Sequence, residues 1–364
     1  MRRGDYYLGH DIMPGESVTG SEKAAILHDL RVLAGGGAEG VDTALRHRFS
    51  PDCTWRVSHP INEVEGLEAG LEAIWRPVMA AMPDLERRDQ IFIGGSYDGR
   101  RYVAAIGHYC GTLYEAFCGV RPTGHPVFLR YGEVYEISPE GMIVQATLLW
   151  DILDFIRQAD VWPIAPSLGV EEMWCGPLLA DGVRLSDADP AQSAASIAQT
   201  LAMHDTLMEY PDKNLTREGL MSMPQRQHWH PKMMWYGPAG VGTTRGLNGF
   251  VDYHQLPFRV AFERPQGTAE EVMAMRRAKG AGHYIRVGDG PFSVTGGWPS
   301  VIARHKGGGF AGMPTTGKDI TMRVMDFYFH HEGLIRENWV PIDMLHIFLQ
   351  MGVDVLGRMR ERGV

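Results

Sequence analysis

With 364 residues, a formal charge of −9 and 22% charged side chains, the chain exceeds the usual size of one hydrophobic core and has no Lys/Arg-rich block. Two domains are therefore expected, and a nucleic-acid partner is excluded, because phosphate binding needs clustered positive charge. No apolar run approaches the roughly 20 residues of a membrane span, and the N-terminal MRRGDYYLGHDIMPGE lacks the apolar stretch of a secretory signal, so a cytoplasmic protein without membrane contact is expected.

In chain order, a tail of residues 1–20 runs into the capping-box pattern Thr19-Gly20-Ser21-Glu22, which predicts an amphipathic helix carrying Ile26, Leu30 and Leu33. After the Gly35-Gly36-Gly37 loop and a short helix comes a strand at Cys53 to Ser58. The stripe Leu67, Leu71, Ile74, Val78 and Met82 then marks a helix that ends at Pro83-Asp84. Four strands follow, near 87–95, 101–116, 127–137 and 142–150, and a last helix begins at about Asp151. Residues 163–188, rich in proline, glycine and aspartate, form a linker. A second unit, 189–364, restarts at Asp189-Pro190-Ala191-Gln192 with a helix carrying Ile197, Leu201 and His204. Cys53, Cys110, Cys118 and Cys175 are too sparse for a disulfide framework and are read as reduced, buried side chains.

The units repeat. Thr123, Gly124, Arg130, Glu133 and Tyr135 recur at an offset of 193 as Thr316, Gly317, Arg323, Asp326 and Tyr328, and Gly141, Ile143 and Asp151 recur as Gly333, Ile335 and Asp343. Upstream, Trp55 and Trp229 each open a strand-like segment. Segregated helices with a mostly antiparallel sheet give an α+β class in both 21–162 and 189–364. Gly312 to Lys318 fits the start of a P-loop, but Asp319 replaces the Ser or Thr and an alternating strand follows where a helix is required, so that reading fails.

The stretches Gly107-His108-Tyr109-Cys110-Gly111-Thr112, Gly119 to Gly124, Gly312 to Lys318, Gly333 to Trp339 and Asp343-Met344-Leu345 resemble the SnoaL-like polyketide cyclases of the nuclear transport factor 2-like superfamily. The resemblance implies two cone-shaped domains, each a curved antiparallel sheet wrapped by helices around a small-molecule pocket. It implies no particular reaction, since this superfamily hosts cyclases, isomerases, dehydratases, lyases and binding modules.

Several residues could carry chemistry. Ile320, Met322, Val324, Asp326 and Tyr328 share a strand face, as do Val127, Leu129, Tyr131, Glu133 and Tyr135, so a carboxylate interrupts each apolar face. Burial would raise its pKa toward that of a neutral-pH acid or base, although an ion pair or structural hydrogen bond fits equally. Asp151 reads as an N-cap, whereas Asp343, near Glu337, Asn338, Trp339 and Pro341, is given a pocket role. Catalytic candidates are Asp343, Asp326, His305, Tyr236 and Glu337. Substrate contacts are assigned to Trp235, His254, Tyr284, Arg286, Trp298, Asn338 and Trp339, and a second site to His59, His108, Glu133 and Asp151. His254 is also read as a core histidine, and His305 as pointing into the cone. His228 and His230 share a face, but spacing fixes no third ligand, so no metal or cofactor is assigned.

These residues lead to an expectation of a cofactor-independent lyase or cyclase of aldol or retro-aldol type. It would act on a hydrophobic aromatic molecule such as a polyketide or a lignin-type aromatic dimer. A dehydratase or double-bond isomerase, and a non-catalytic binding or scaffold protein, are the alternatives. The first domain would serve as a degenerate partner covering the face that relatives use to dimerise, within the chain or in a homodimer.

Overall fold

The capping box at Thr19 forms: its hydroxyl accepts from the Glu22 N–H, and the Glu22 carboxylate accepts from the Thr19 N–H at 2.9 Å, opening the helix Gly20–Gly35. The computed structural model describes residues 16–171, 173–209 and 215–361; most of the N-terminal tail therefore lies outside the described residues. Described residues within 13–163, 176–188 and 354–364 make one compact unit, and those within 164–175 and 189–353 the other.

In the first unit the strands are β1 (Phe49–Val57), β2 (Glu63–Glu65), β3 (Glu86–Tyr97), β4 (Arg100–Thr112), β5 (Pro126–Ile137) and β6 (Ile143–Trp150), in the sheet order β2-β1-β6-β5-β4-β3. The second unit has β7 (Trp229–Tyr236), β8 (Thr243–Arg245), β9 (Phe262–Glu263), β10 (Ile285–Asp289), β11 (Phe292–His305), β12 (Asp319–His331) and β13 (Leu334–Trp339). Its order, β8-β7-β13-β12-β11-β10 with β9 beside β11, is the same topology. Both sheets are mixed, not wholly antiparallel. The first long strand crosses back to pair parallel with the last, β1 with β6 and β7 with β13. The remaining neighbours pair antiparallel, and register shifts such as that between Gly297 and Val301 bend the strands.

The repeat is visible in backbone detail. Gly124 and Gly317 end the equivalent hairpin turns at φ 66° and 67°, and Gly141 and Gly333 at 84° and 73°, a region that glycine enters without steric cost. Asp319 starts a strand, as the failed P-loop reading requires. Each unit also carries one π-helical turn in its sheet-covering helix, at Leu71–Trp75 and Val251–Gln255. Strand register corrects one equivalence. Trp55 pairs with Ala146 and Trp235 with Asn338, so Trp235 is the counterpart of Trp55, and Trp229 instead matches Phe49.

Cys53 is buried as expected, whereas Cys110 and Cys118 are half-buried and Cys175 is exposed; all four are free thiols. Cys175 lies outside any helix or strand, at the end of the segment 164–175 that packs with the second unit. No helix among the described residues is long and apolar enough to cross a membrane.

Candidate active site in the second unit

Alternation along the strands puts Trp235, Asn338 and Tyr328 in one row across β7, β13 and β12, with Asp326 two residues away on the same face. This face, the helix Pro190–Glu209 and the π-turn helix enclose a cavity of about 230 Å³. Its walls include Met203, Trp229, Phe250, Phe258, Phe262 and Met322. A cavity of about 150 Å³ holds benzene, so this one has room for a substituted ring or a compact bicycle. Trp235 and His254 stack at 3.9 Å and 18° and form a flat aromatic wall.

Asp326 is ringed by protein, yet its carboxyl opens onto the lumen. Loss of water pushes it up to about 7, while hydrogen bonds from Asn338 and Tyr328 pull it down. The Tyr328 hydroxyl is also 2.8 Å from His204 Nε2. A neutral His204 carrying its proton on Nε2 donates to the Tyr328 oxygen and leaves the Tyr328 hydroxyl to favour the charged form of Asp326. Burial, then the charge of Arg286, brings His204 down to about 4, and burial alone brings His254 down to about 3. His283, with its ring centroid 5.4 Å from that of His204, is also held well below its usual range, by burial first and then by its neighbours His204, Arg276 and Arg286. These shifts keep the imidazoles neutral at pH 7, while Asp326 is raised toward neutrality.

No family model and no curated protein sequence matches this chain. Similar solved structures include a candidate SnoaL-like polyketide cyclase from Jannaschia sp. CCS1, 20% identical, over 41% of this chain and 95% of that one, at a TM-score of 0.32. IdmH, a candidate polyketide cyclase from Streptomyces antibioticus, is 21% identical over 39% of this chain and 99% of that one, at 0.31. AclR, a candidate hydroxylase from Streptomyces galilaeus, is 19% identical over 39% and 98%, at 0.31.

Of the residues singled out in the sequence, Asp326, Trp235, His254 and Asn338 meet at this cavity. The others lie elsewhere. Asp343 caps the helix Met344–Gln350 by accepting from the His346 N–H, and pairs with Arg323 at 2.9 Å, so its carboxylate is spent on structure. Tyr236, Glu337 and Trp339 point to the opposite sheet face, since they alternate with Trp235 and Asn338. There Tyr236 donates to Glu337 at 3.0 Å, stacks on Trp339, and the Trp339 indole N–H donates to the Cys175 carbonyl. His305 lies beyond the cavity beside β9, buried against Phe262 and 2.9 Å from the Thr316 hydroxyl. Tyr284 and Trp298 bond each other at the β11 bulge, where the Arg323 guanidinium lies 3.9 Å above the Trp298 ring. Arg286 is buried and donates to the His283 carbonyl. His230 accepts from the Lys232 N–H, and among the described residues no three His, Cys, Asp or Glu side chains converge as a metal site.

Tyr328 and His204 complete the chain that sequence reasoning missed. Tyr328 was legible as a face-mate of Asp326, while His204 lay hidden in an apolar helical stripe.

The first unit has the same scaffold with its interior filled. Glu133 accepts from Arg87 at 2.5 Å, Tyr109 at 2.9 Å, Tyr135 at 2.6 Å and the Trp150 indole at 3.0 Å. Strand register matches Tyr109, Tyr131 and Trp150 with Val301, Val324 and Ile342, and the π-turns match Trp75 with Gln255. Each large ring meets a smaller side chain in the second unit, and all four of those smaller residues line its cavity. Asp151 accepts from the Asp154 N–H as an N-cap and pairs with Arg130 at 3.0 Å. His108 sits on the sheet face away from Tyr109, lowered to about 4 by burial and then by Arg130. His59 lies in the turn after β1, its Nδ1 3.5 Å from Asn62.

Proposed function

We propose that the second unit is an acid/base enzyme acting on a small hydrophobic ring compound, with Asp326 as the base. The observation that carries this reading is a carboxyl raised to about 7 and facing a cavity walled by aromatic, aliphatic and methionine side chains. A carboxylate there is half-ionised at neutral pH and is stripped of competing water. It can take a proton from a carbon next to a carbonyl, with the C–H electron pair moving onto the carbonyl oxygen as an enolate.

The enolate carbon then attacks a second carbonyl carbon in the same molecule, and the resulting alkoxide recovers the proton from Asp326. A C–C bond forms, the base returns to its starting state, and nothing else is consumed. Run in reverse, the same steps cleave an aldol. In this reading His204 orients the Tyr328 hydroxyl, and Asn338 and Tyr328 favour the charged form of Asp326 that the reaction needs. The first unit, with Glu133 bound to Arg87, is a structural copy in this reading.

Deuterium exchange at the acidic carbon of 2-tetralone and 1,3-indanedione, followed by NMR, tests the proposal. The intact chain should accelerate exchange over buffer and the Asp326→Asn protein should not; equal rates for the two proteins would refute the assignment.

A further inference from the structure

The first unit shows in its own side chains what the space in the second is shaped to hold. Around Glu133 the donors divide between the two carboxylate oxygens: Arg87 and the Tyr135 hydroxyl bond Oε2, while the Tyr109 hydroxyl, at 2.9 Å, and the Trp150 indole N–H, at 3.0 Å, bond Oε1. Tyr328 stands in the position of Tyr135, and its hydrogen bond likewise favours the charged carboxylate of Asp326. The two donors on Oε1 are not repeated. Val301 and Ile342 stand in the positions of Tyr109 and Trp150, and neither side chain has a polar atom to offer.

The exchange thus removes aromatic rings that each carry a donor at the edge and lie against a carboxylate, and it leaves lumen: Val301, Ile342 and Asp326 all line the cavity. Trp75 marks the far side of that volume. Its ring meets Tyr109 edge-on at 6.0 Å and Trp150 at 6.2 Å, and its counterpart Gln255 lines the cavity as well. Asp326 is one methylene shorter than Glu133, which draws its carboxyl back by about 1.5 Å and deepens the space in front of it. Water fills such a space poorly, since a buried water needs roughly two to four polar partners and the side chains of Val301, Val324 and Ile342 supply none.

From this correspondence we infer that the cavity takes a hydroxyaryl compound, whose phenolic O–H occupies the place of the Tyr109 hydroxyl and donates to Asp326. The bond is charge-assisted and lies in an apolar enclosure, so it discriminates against rings of the same shape that lack a donor. The inference rests on the proposed function in using the same cavity and the same carboxyl. A carboxylate offers about four acceptor positions, so holding a hydroxyl and taking a proton from carbon are compatible.

p-Cresol is the tyrosine side chain as a free molecule, and toluene and 4-methylanisole are its counterparts without the donor. The test is calorimetric titration of the full chain with each, at about pH 8.5, where Asp326 is charged and a phenol, with a pKa of about 10, is not. p-Cresol should bind about tenfold or more tightly than either of the others. In Asp326→Leu, which keeps the shape and removes the acceptor, the p-cresol-to-toluene ratio should fall to about one or below. Because each protein supplies its own ratio, a loss of folded fraction cancels. In the unaltered chain the Asp326 carboxyl, followed by carbon NMR, should titrate at lower pH with p-cresol bound, since a donor favours the charged form, and at higher pH with toluene bound, which excludes water. Equal binding of the three, binding of none, a preference for 4-methylanisole, or a p-cresol preference that survives Asp326→Leu overturns the inference. Deuterium exchange of the ketones reports the base without any phenol, and the p-cresol-to-toluene ratio reports the hydroxyl site without any proton leaving carbon, so the two readings fail separately.

Discussion

Glu133 and Asp326 occupy the same position on β5 and β12, and they differ in what faces them: Glu133 meets the Arg87 guanidinium at 2.5 Å, whereas Asp326 faces an open cavity. One duplicated carboxylate has been absorbed into a core and the other left available. Arg87 has a fully buried side chain and also pairs with Asp89 at 2.8 Å, so Arg87→Met strands Glu133 without its cation and leaves Asp89 only its 3.2 Å pair with the half-exposed Arg31. That substitution should cost about 3–5 kcal/mol in a denaturant titration. Glu133→Gln in the same chain should restore part of the loss, and ligand binding by the second unit should not change in either protein.

For Asp326 the cost runs the other way. Its folded pKa of about 7 lies above the ordinary carboxyl value of 3.8, so between these two pH values the folded chain holds a proton that the unfolded chain has released. Stability therefore falls as pH rises through this window, and the penalty is complete above about 7. Asp326→Asn should remove it, raising stability at pH 8 by on the order of 4 kcal/mol while leaving pH 4 nearly unchanged. Thermal melts across that range decide the matter; a mutant that is no more stable at pH 8 would mean that the carboxyl is not desolvated. The same substitution should lower kcat/KM about 10²–10⁴-fold.

On the proposed function, Tyr328 tunes the base. Its hydrogen bond favours the charged carboxylate, so Tyr328→Phe should push Asp326 still higher. In the unaltered chain kcat/KM should rise with pH through about 7 and then level off. In Tyr328→Phe the inflection should move to higher pH, with about a tenfold loss at pH 7 that is recovered in alkali. A uniform loss at every pH would assign Tyr328 to substrate contact instead.

How far the sequence reaches is clearest at these positions. The duplicated glycines, the capping boxes and the alternation along β5 and β12 are local signals, and they specify both scaffolds and the carboxylate on each inner face. The fate of that carboxylate is not local. It depends on Arg87, 46 residues before Glu133, and on register pairings that set Tyr109, Tyr131 and Trp150 inside one unit and Val301, Val324 and Ile342 inside the other. Asp343 misled for a related reason. Its polar neighbours in sequence, Glu337 and Trp339, alternate to the far face of β13, so their proximity along the chain is not proximity to a pocket.

Asp343 accordingly supplies a control. Asn is a good N-cap, so Asp343→Asn should keep the helix Met344–Gln350 capped while losing the 2.9 Å ion pair with Arg323. Stability should drop by about 2–3 kcal/mol, and the pH dependence of kcat/KM should stay as it was. A displaced inflection would return Asp343 to the active site.

The last prediction converts one unit toward the other. Val324 lines the cavity at the position where the first unit has Tyr131, whose hydroxyl is satisfied by Asp89 at 2.9 Å. A phenylalanine at 324 brings the ring without a polar group to satisfy, and its added bulk is a large share of the roughly 230 Å³ available. Val324→Phe should therefore abolish binding of ring ligands, at a cost of no more than about 1–3 kcal/mol of overpacking, and should leave far-UV circular dichroism unchanged. The reverse exchange is not symmetrical. Tyr131→Val opens space in the first unit, but Glu133 stays bound to Arg87, Tyr109, Tyr135 and Trp150. That variant should gain affinity for a small apolar probe such as benzene and no proton-exchange activity. Exchange activity arising there would show that volume alone, and not the release of the carboxylate from its cation, makes the base.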